Sequence, residues 1–223
     1  IELRHQQKEC QLYNVYGPTE GTIHVSSCRV TDAIEQNASV SIGHAIQNIQ
    51  LYVLSSARQL LPLGVPGELY IGGVGVSRGY LNQPELTQEK FIANPFGEGR
   101  LYRTGDKVRY LSDGNIEFLG RIDNQVKLRG YRIELGEIEA ALCRHPGVAQ
   151  AIVQLTAEEE KRLVAYVVLS SEKSGSQTTL EEGIAASTLR HYLSNYLPEY
   201  MLPQAYGVLN ELPLTVNGKV DRK

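Results

Sequence analysis

The sequence has only three cysteines, Cys10, Cys28 and Cys143, odd in number and far apart, and no CxxC pair. That spacing argues against a metal centre or a disulfide framework and points to a reducing cytoplasm. There is no excess of basic residues. Lys and Arg number 22 against 25 Asp and Glu, a formal net charge of −3, so no basic field suggests nucleic acid. No apolar run approaches the roughly 20 residues needed to span a bilayer, and no internal repeat is present. Two phosphate-loop signatures are also lacking. Gly73-Val74-Gly75-Val76-Ser77-Arg78-Gly79 has GxGxxxG spacing without a strand–turn–helix context, so its glycines read as turn and close-packing positions. Asn217-Gly218-Lys219 lacks the upstream Gly and following Ser/Thr of a Walker loop.

What is present is 223 residues at 42% hydrophobic content, enough for one to two domains that each bury a core. The chain is organised around Gly120 to Glu139. Gly120-Arg121-Ile122-Asp123-Asn124 is short and polar, and from Leu135 the spacing Leu135, Ile138, Leu142 is helical. Before this stretch the sequence is Gly/Pro-punctuated β; after it come a helix, a hairpin and another helix. The shift divides the chain into 1–121, a joint at 122–124, and 125–223.

In the first part, Gln50 to Leu54 and Glu68 to Ile71 read as strands, and Pro84 to Phe91 as a short helix. Tyr102 to Asp106 turns into a strand from Val108 to Leu111, and Asp113-Gly114 makes a tight turn back through Ile116 to Leu119. In the second part, Glu134 to His145 reads as an amphipathic helix closed by Pro146-Gly147. Ala149–Leu155 and Leu163–Leu169 read as strands around the polar turn Glu158-Glu159-Glu160-Lys161. Ser170 to Thr179 is a flexible loop by composition. Leu180 to Tyr196 supplies a helix with Ile184, Leu189, Tyr192, Leu193 and Tyr196 as its apolar side. Composition alone would make Thr19 a helix N-cap, His24 a helix-face or core histidine, Asp106 a turn carboxylate and Lys219 a surface lysine.

Six segments change those readings: Asn14-Val15-Tyr16-Gly17-Pro18-Thr19-Glu20, Gly67-Glu68-Leu69-Tyr70-Ile71-Gly72-Gly73, Tyr102-Arg103-Thr104-Gly105-Asp106, the Gly120–Glu139 stretch, Leu197-Pro198-Glu199-Tyr200-Met201-Leu202-Pro203, and Asn217-Gly218-Lys219-Val220-Asp221-Arg222. In their order and wording they resemble the adenylate-forming enzymes, specifically the adenylation domains of nonribosomal peptide synthetases. The resemblance implies an α+β fold: a β-barrel subdomain that ends a large N-terminal adenylation core, followed by a small α+β C-terminal lid domain. It implies ATP and Mg²⁺ as cofactors, with AMP as a product. Glu20 matches the metal ligand, and Asn14, Tyr16, Gly17, Thr19, Asp106 and Arg121 match nucleotide contacts, Asp106 at the ribose hydroxyls. Val15, Ile23 and His24 match the amino-acid pocket. Lys219 matches the catalytic lysine and Asp123 the hinge. Lys127, Arg129 and Gly130 match a loop beside the path of an incoming thiol. A Pro often found in the family at Ala45 is replaced here, and nothing functional is read into it.

The implied reaction has two halves. An amino-acid carboxylate attacks the α-phosphate of ATP to give an aminoacyl-adenylate and pyrophosphate. The phosphopantetheine thiol of a peptidyl carrier protein then takes the acyl group and releases AMP. A small MbtH-like accessory protein is a further expected partner. The family's Ser/Thr/Gly-rich phosphate loop and most of its pocket precede the Asn14 motif. They do not occur here, and Ile1 opens without an initiator Met or signal peptide, so the expectation is the back part of a longer enzyme, inactive alone. Acyl-CoA and aryl-acid ligases share the fold and the first half-reaction, but VKLRGYRIELGEIE and NGKVDRK favour the peptide-synthetase branch. A non-catalytic module that docks carrier or accessory proteins is the alternative of a different class.

Overall fold

The computed structural model describes residues 11–30, 40–156, 160–170, 186–215 and 220. Lys219, Cys10, Ile184, residues 171–179 of the Ser-rich loop, residues 180–185 of the second helix and two of the three consecutive glutamates, Glu158 and Glu159, lie outside the described residues. The chain divides into two compact units, Ile1–Asp123 and Asn124–Lys223.

The first unit is β-rich. Strands β1 (Tyr13–Tyr16), β2 (Ser26–Arg29) and β3 (His44–Ala45) form a small antiparallel sheet in that order. A five-stranded antiparallel sheet follows, built from β4 (Ile49–Leu54), β5 (Gly67–Gly73), β6 (Phe91–Ala93), β7 (Arg100–Tyr110) and β8 (Ile116–Arg121). Helix α1 (Pro84–Lys90) starts on its proline, where the missing N–H costs nothing. Strand β7 is the axis. One edge pairs with β5, while the other pairs with β6 at Arg100–Tyr102 and with β8 from Asp106 onward. An isolated bridge between Gly43 and Ile116 links the small sheet to β8.

Strand β5 is nearly continuous in apolar residues because both its faces are covered. Leu69 and Ile71 join Val53, Phe91 and Tyr102 in one cluster, and Tyr70 packs with Leu54 and Leu101 on the opposite face. The Tyr102–Asp106 segment differs from the sequence expectation. It is no turn but the middle of β7, and Gly105 marks a bulge, not a reversal. Alternation fails there because three β7 residues face one residue of β5, which breaks the period-2 signal that a strand reading needs.

The second unit is α+β. Strands β9 (Gln125–Leu128) and β10 (Tyr131–Glu134) form a hairpin. Helix α2 (Leu135–Cys143), β11 (Val148–Leu155), β12 (Leu163–Leu169), helix α3 (Ala186–Ser194) and β13 (Ala205–Val208) complete it. The sheet order is β11-β12-β13, with β13 parallel to β12. Leu135, Ile138 and Leu142 of α2 are buried with Leu189 and Leu193 of α3 over the alternate residues Leu163, Ala165 and Val167 of β12. Glu139 extends the link between helix and sheet, accepting the Val153 N–H at 2.8 Å. Tyr196 departs from its expected place on the apolar side: α3 stops at Ser194, whose hydroxyl donates to the His191 carbonyl at 2.7 Å, leaving Tyr196 exposed while Leu197 takes the buried position.

No helix among the described residues is long and apolar enough to cross a membrane. The free cysteines among them are Cys28, which is buried, and Cys143, which is exposed.

Several phenols depend on being neutral. Burial pushes Tyr206 up to about 12 against a partial offset from Arg190, and burial also raises Tyr16, Tyr80 and Tyr110. A folded pKa above the unfolded value of about 10 gives stability that is complete below pH 10 and lost as pH rises through the folded value. The Tyr206 hydroxyl is buried without a hydrogen-bond partner among the described residues. Tyr206→Phe is therefore expected to leave stability at pH 7 unchanged or raised by up to about 1 kcal/mol. Between pH 10 and 12 it should flatten the loss of stability. Urea unfolding midpoints across that range check this; a parallel decline in both proteins would remove Tyr206 from the alkaline response.

Candidate functional site

The first cluster is built on the exit of β1. Asn14 donates from its side chain to the Ser41 carbonyl at 2.7 Å, tying the strand to the segment that leads into β3. Gly17 and Pro18 end the strand, and the backbone of Gly17 lies against that of Ile23 and His24, with no room for a Cβ. A single 3-10 turn, Thr19–Gly21, follows. Thr19 is the first residue of that turn and Pro18 its N-cap, so composition's expectation of a Thr19 cap gives way to a proline that simply delivers the chain into the turn. Thr22 and Ile23 then take positive φ angles of 64° and 71°, unusual for β-branched residues and costly unless the surroundings hold them. Thr22 is held by its hydroxyl, which donates to the Gly75 carbonyl at 2.6 Å. Ile23, in that contorted segment, is 81% exposed, and His24 is exposed as well, neither on a helix nor in the core; Val15 is 58% exposed on the outer face of β1.

Glu20 goes the other way. It is buried, and its Oε1 accepts the Tyr80 hydroxyl at 2.6 Å. Tyr80 is itself fixed, its N–H donating to Thr87 Oγ1 at 2.9 Å and its ring set edge-on to Phe91. Burial first, then the bond to Glu20, raises the Tyr80 phenol well above its ordinary value, so it stays a donor. No group of three or more His, Cys, Asp or Glu that could hold a metal occurs among the described residues. A lone oriented carboxylate fits a hard cation that keeps its waters and takes its remaining ligands from a phosphate substrate.

The second cluster lies where β7 passes β8. Asp106 is buried; it accepts the Tyr16 hydroxyl and pairs with Arg121 Nη1 at 2.8 Å. Burial, and next the Asp106 charge, push the Tyr16 phenol far up, keeping its proton on the tyrosine side of that bond. Arg121 also donates to the Thr104 carbonyl at 3.0 Å and grips Asp123 through Nε, at 2.6 Å, and Nη2. A side chain at Gly105, whose φ is +74°, would collide with the Asp123 carboxylate and come within 2.7 Å of Arg121 Nη2. The left-handed φ favours glycine there, and any other side chain would push the Asp123–Arg121 pair aside. Asn14, Tyr16 and Gly17 thus share the strand exit that leads to Glu20, while Tyr16 joins that exit to Asp106 and Arg121.

In the second unit the residues matched to a thiol path sit on the β9–β10 hairpin. The register pairs Leu128 with Tyr131, leaving Arg129-Gly130 as a two-residue turn. Both have positive φ, +50° and +84°, the geometry of a type I′ turn. Lys127, Arg129 and Gly130 are exposed. The ring of Tyr200 stacks on Tyr131 beside that turn, centroids 4.1 Å apart and 6° from parallel. The Leu197–Pro203 motif therefore braces the hairpin. Lys219 lies outside the described residues, so these contacts do not include it. Sequence reasoning assigns no role of their own to Tyr80, Thr104 and Tyr200. Each supports a matched residue from at least 60 positions away or by a backbone contact that carries no sequence signal.

Two family models match the chain, AMP-binding enzyme over residues 2–81 and AMP-binding enzyme C-terminal domain over residues 137–219. A linear gramicidin synthase of Brevibacillus parabrevis is 54% identical over 94% of this chain, and a mycosubtilin synthase of Bacillus subtilis 52% identical over 96%. The chain spans 3% and 8% of the lengths of those relatives. Among solved structures, holo-PA1221, an NRPS protein containing adenylation and PCP domains bound to a vinylsulfonamide inhibitor, superposes with a TM-score of 0.78 at 30% identity. The match covers 98% of this chain and 36% of that one. o-Succinylbenzoate CoA synthetase from Bacillus subtilis shares the fold, with a TM-score of 0.76 at 22% identity over 99% of this chain and 42% of its own.

Proposed function

The chain belongs to the AMP-binding enzyme family, and on that premise we propose that it forms part of an amino-acid-activating adenylation domain in nonribosomal peptide synthesis. The parent enzyme joins an amino acid to ATP as aminoacyl-AMP, releasing pyrophosphate, and passes the acyl group to the phosphopantetheine thiol of a carrier protein, releasing AMP. The observation that carries this reading is the Asp106–Arg121–Asp123 network, joined by Tyr16 to the strand that leads to Glu20. The named relatives are peptide synthases, which supports the amino-acid branch over the acyl-CoA and aryl-acid ligases.

In this reading Asp106 accepts hydrogen bonds from both ribose hydroxyls, and Arg121, oriented by two carboxylates and the Thr104 carbonyl, faces the nucleotide phosphates. Glu20, oriented by Tyr80, would hold Mg²⁺. When bound, that ion supplies positive charge to the phosphate oxygens. Thr19, exposed on its 3-10 turn, offers a hydroxyl to phosphate. Val15, Ile23 and His24 line the amino-acid pocket. Asp123 is the pivot on which the second unit reorients between half-reactions, and Lys127, Arg129 and Gly130 flank the thiol's path. ATP and a carrier thiol as reactants support a cytoplasmic reaction. A small MbtH-like protein is a further partner, and its addition to the exchange assay tests whether it is needed.

Asp106→Ala in the parent enzyme is expected to raise the KM for ATP about 10- to 100-fold, the range for losing hydrogen bonds to a charged group. The KM for the amino acid should stay near its original value. ATP–pyrophosphate exchange measures both, and an unchanged ATP dependence would remove Asp106 from the nucleotide site. The same assay over a panel of amino acids tests the whole reading, which fails if no amino acid supports exchange while an aryl or fatty acid does.

A further inference from the structure

We propose that Glu68 is a positioning residue for Asp106. Its carboxylate binds the backbone N–H at the β7 bulge and so determines where the ribose-binding group points. The role rests on Asp106 being the ribose ligand proposed for the parent enzyme.

The bulge leaves a countable set of backbone groups. Strands β5 and β7 pair Tyr70 with Arg103 and Glu68 with Lys107. Between those pairs β5 has one residue, Leu69, and β7 has three, Thr104, Gly105 and Asp106. On its other edge β7 pairs with β6 only as far as Tyr102, and β8 begins opposite Asp106. Thr104 and Gly105 therefore lie outside both ladders, although both are buried. Buried backbone groups must find other partners. The Thr104 carbonyl takes Arg121, and the Gly105 carbonyl takes the Ile122 N–H at 2.8 Å. The Asp106 N–H donates to Thr104 Oγ1 at 2.9 Å, and that hydroxyl donates to the Leu69 carbonyl at 2.8 Å. The Gly105 N–H donates to Glu68 Oε1 at 3.1 Å.

Glu68 suits this task because it is fixed. It is only 9% exposed, and Arg103 Nε bonds both its oxygens, at 2.9 and 3.0 Å. The Gly105 N–H lies one residue before Asp106. Without its acceptor, the peptide linking residues 104 and 105 turns to find another, and the carboxylate that follows moves with it. A displacement of about 1 Å at a positioning group can cost about 100-fold in rate. The competing role is narrower: Glu68 merely neutralises Arg103. That role predicts lost stability without a change in nucleotide selection.

The experiment uses the full-length parent enzyme and compares ATP with 2′-deoxy-ATP in pyrophosphate exchange. Glu68→Ala is expected to raise the KM for ATP about 10- to 100-fold and to bring the preference for ATP over the deoxy analogue close to unity. The KM for the amino acid should hold. Glu68→Gln keeps an oxygen for the Gly105 N–H and should restore most of the preference. Should Glu68→Ala not fold, the double variant Glu68→Met/Arg103→Met replaces the buried ion pair with apolar residues, a change that is often neutral for stability. It still removes the acceptor, so the preference should again collapse. Asp106→Ala is the control for the underlying reading. If it keeps the preference, the ribose assignment fails and this proposal with it. If it abolishes the preference while the folded Glu68 variants retain it, Glu68 serves Arg103 alone and only this proposal is overturned.

Discussion

Lys219→Ala in the parent enzyme should lower aminoacyl-adenylate formation by roughly 10²- to 10³-fold or more, on the scale of removing one preorganised charge donor. Thioester formation from pre-made adenylate should change little. The first half-reaction brings a carboxylate towards a triphosphate, and charge builds on the α-phosphoryl oxygens as the bond forms. Such a step needs fixed positive charge in a dried site more than it needs a base. Within its own network Arg121 provides no surplus: Asp106 and Asp123 stand two to one against its guanidinium. In the proposed function Arg121 therefore acts as a positioner, its charge shared between two carboxylates. The proposed function takes that charge from Lys219, in the Asn217-Gly218-Lys219 motif, because the family's wording assigns it. Single-turnover assays that separate adenylate formation from transfer check this. Equal losses in both steps would contradict the assigned role.

The parts of the molecule legible in the sequence are those decided by near neighbours. The β11–β12 strands and helix α2 follow from alternation and from the Leu135, Ile138, Leu142 spacing, since each apolar position faces one core. The network around Asp106 is legible only as a set of motifs. Tyr16 and Asp106 are 90 residues apart, and Glu68 and Arg103 are 35 apart. No local pattern couples such pairs; the β5–β7 register sets Glu68 near Arg103, and a side-chain bond from a separate sheet joins Tyr16 of β1 to Asp106. The bulge shows the limit most clearly. In the sequence Gly105 is a glycine between polar residues, which reads as a turn. Its cause is a long-range mismatch of three residues against one, together with the Asp123 and Arg121 side chains that fill the space beside it.

Asp123→Pro should nearly abolish loading of the carrier protein while pyrophosphate exchange survives. A pivot works by letting one or two backbone dihedrals take different values in two stable states. Proline fixes φ near −65° and restricts the preceding residue, here Ile122. Ile122 is already anchored, its N–H donating to the Gly105 carbonyl at 2.8 Å, so little freedom is left upstream to absorb the change. Biasing an even two-state equilibrium to 99:1 lowers the minor population about 50-fold, and loading should fall by at least that order if the favoured state is the adenylating one. The side chain complicates the control. Asp123 is gripped by Arg121 through Nε and Nη2, so Asp123→Ala frees the backbone but also loosens a nucleotide positioner. Proline removes the same carboxylate, so both variants should raise the KM for ATP; what distinguishes alanine is transfer from pre-made adenylate close to the original rate. A proline variant that loads its carrier normally, or proline and alanine variants that damage both half-reactions alike, would show that Asp123 is an Arg121 partner and not a pivot.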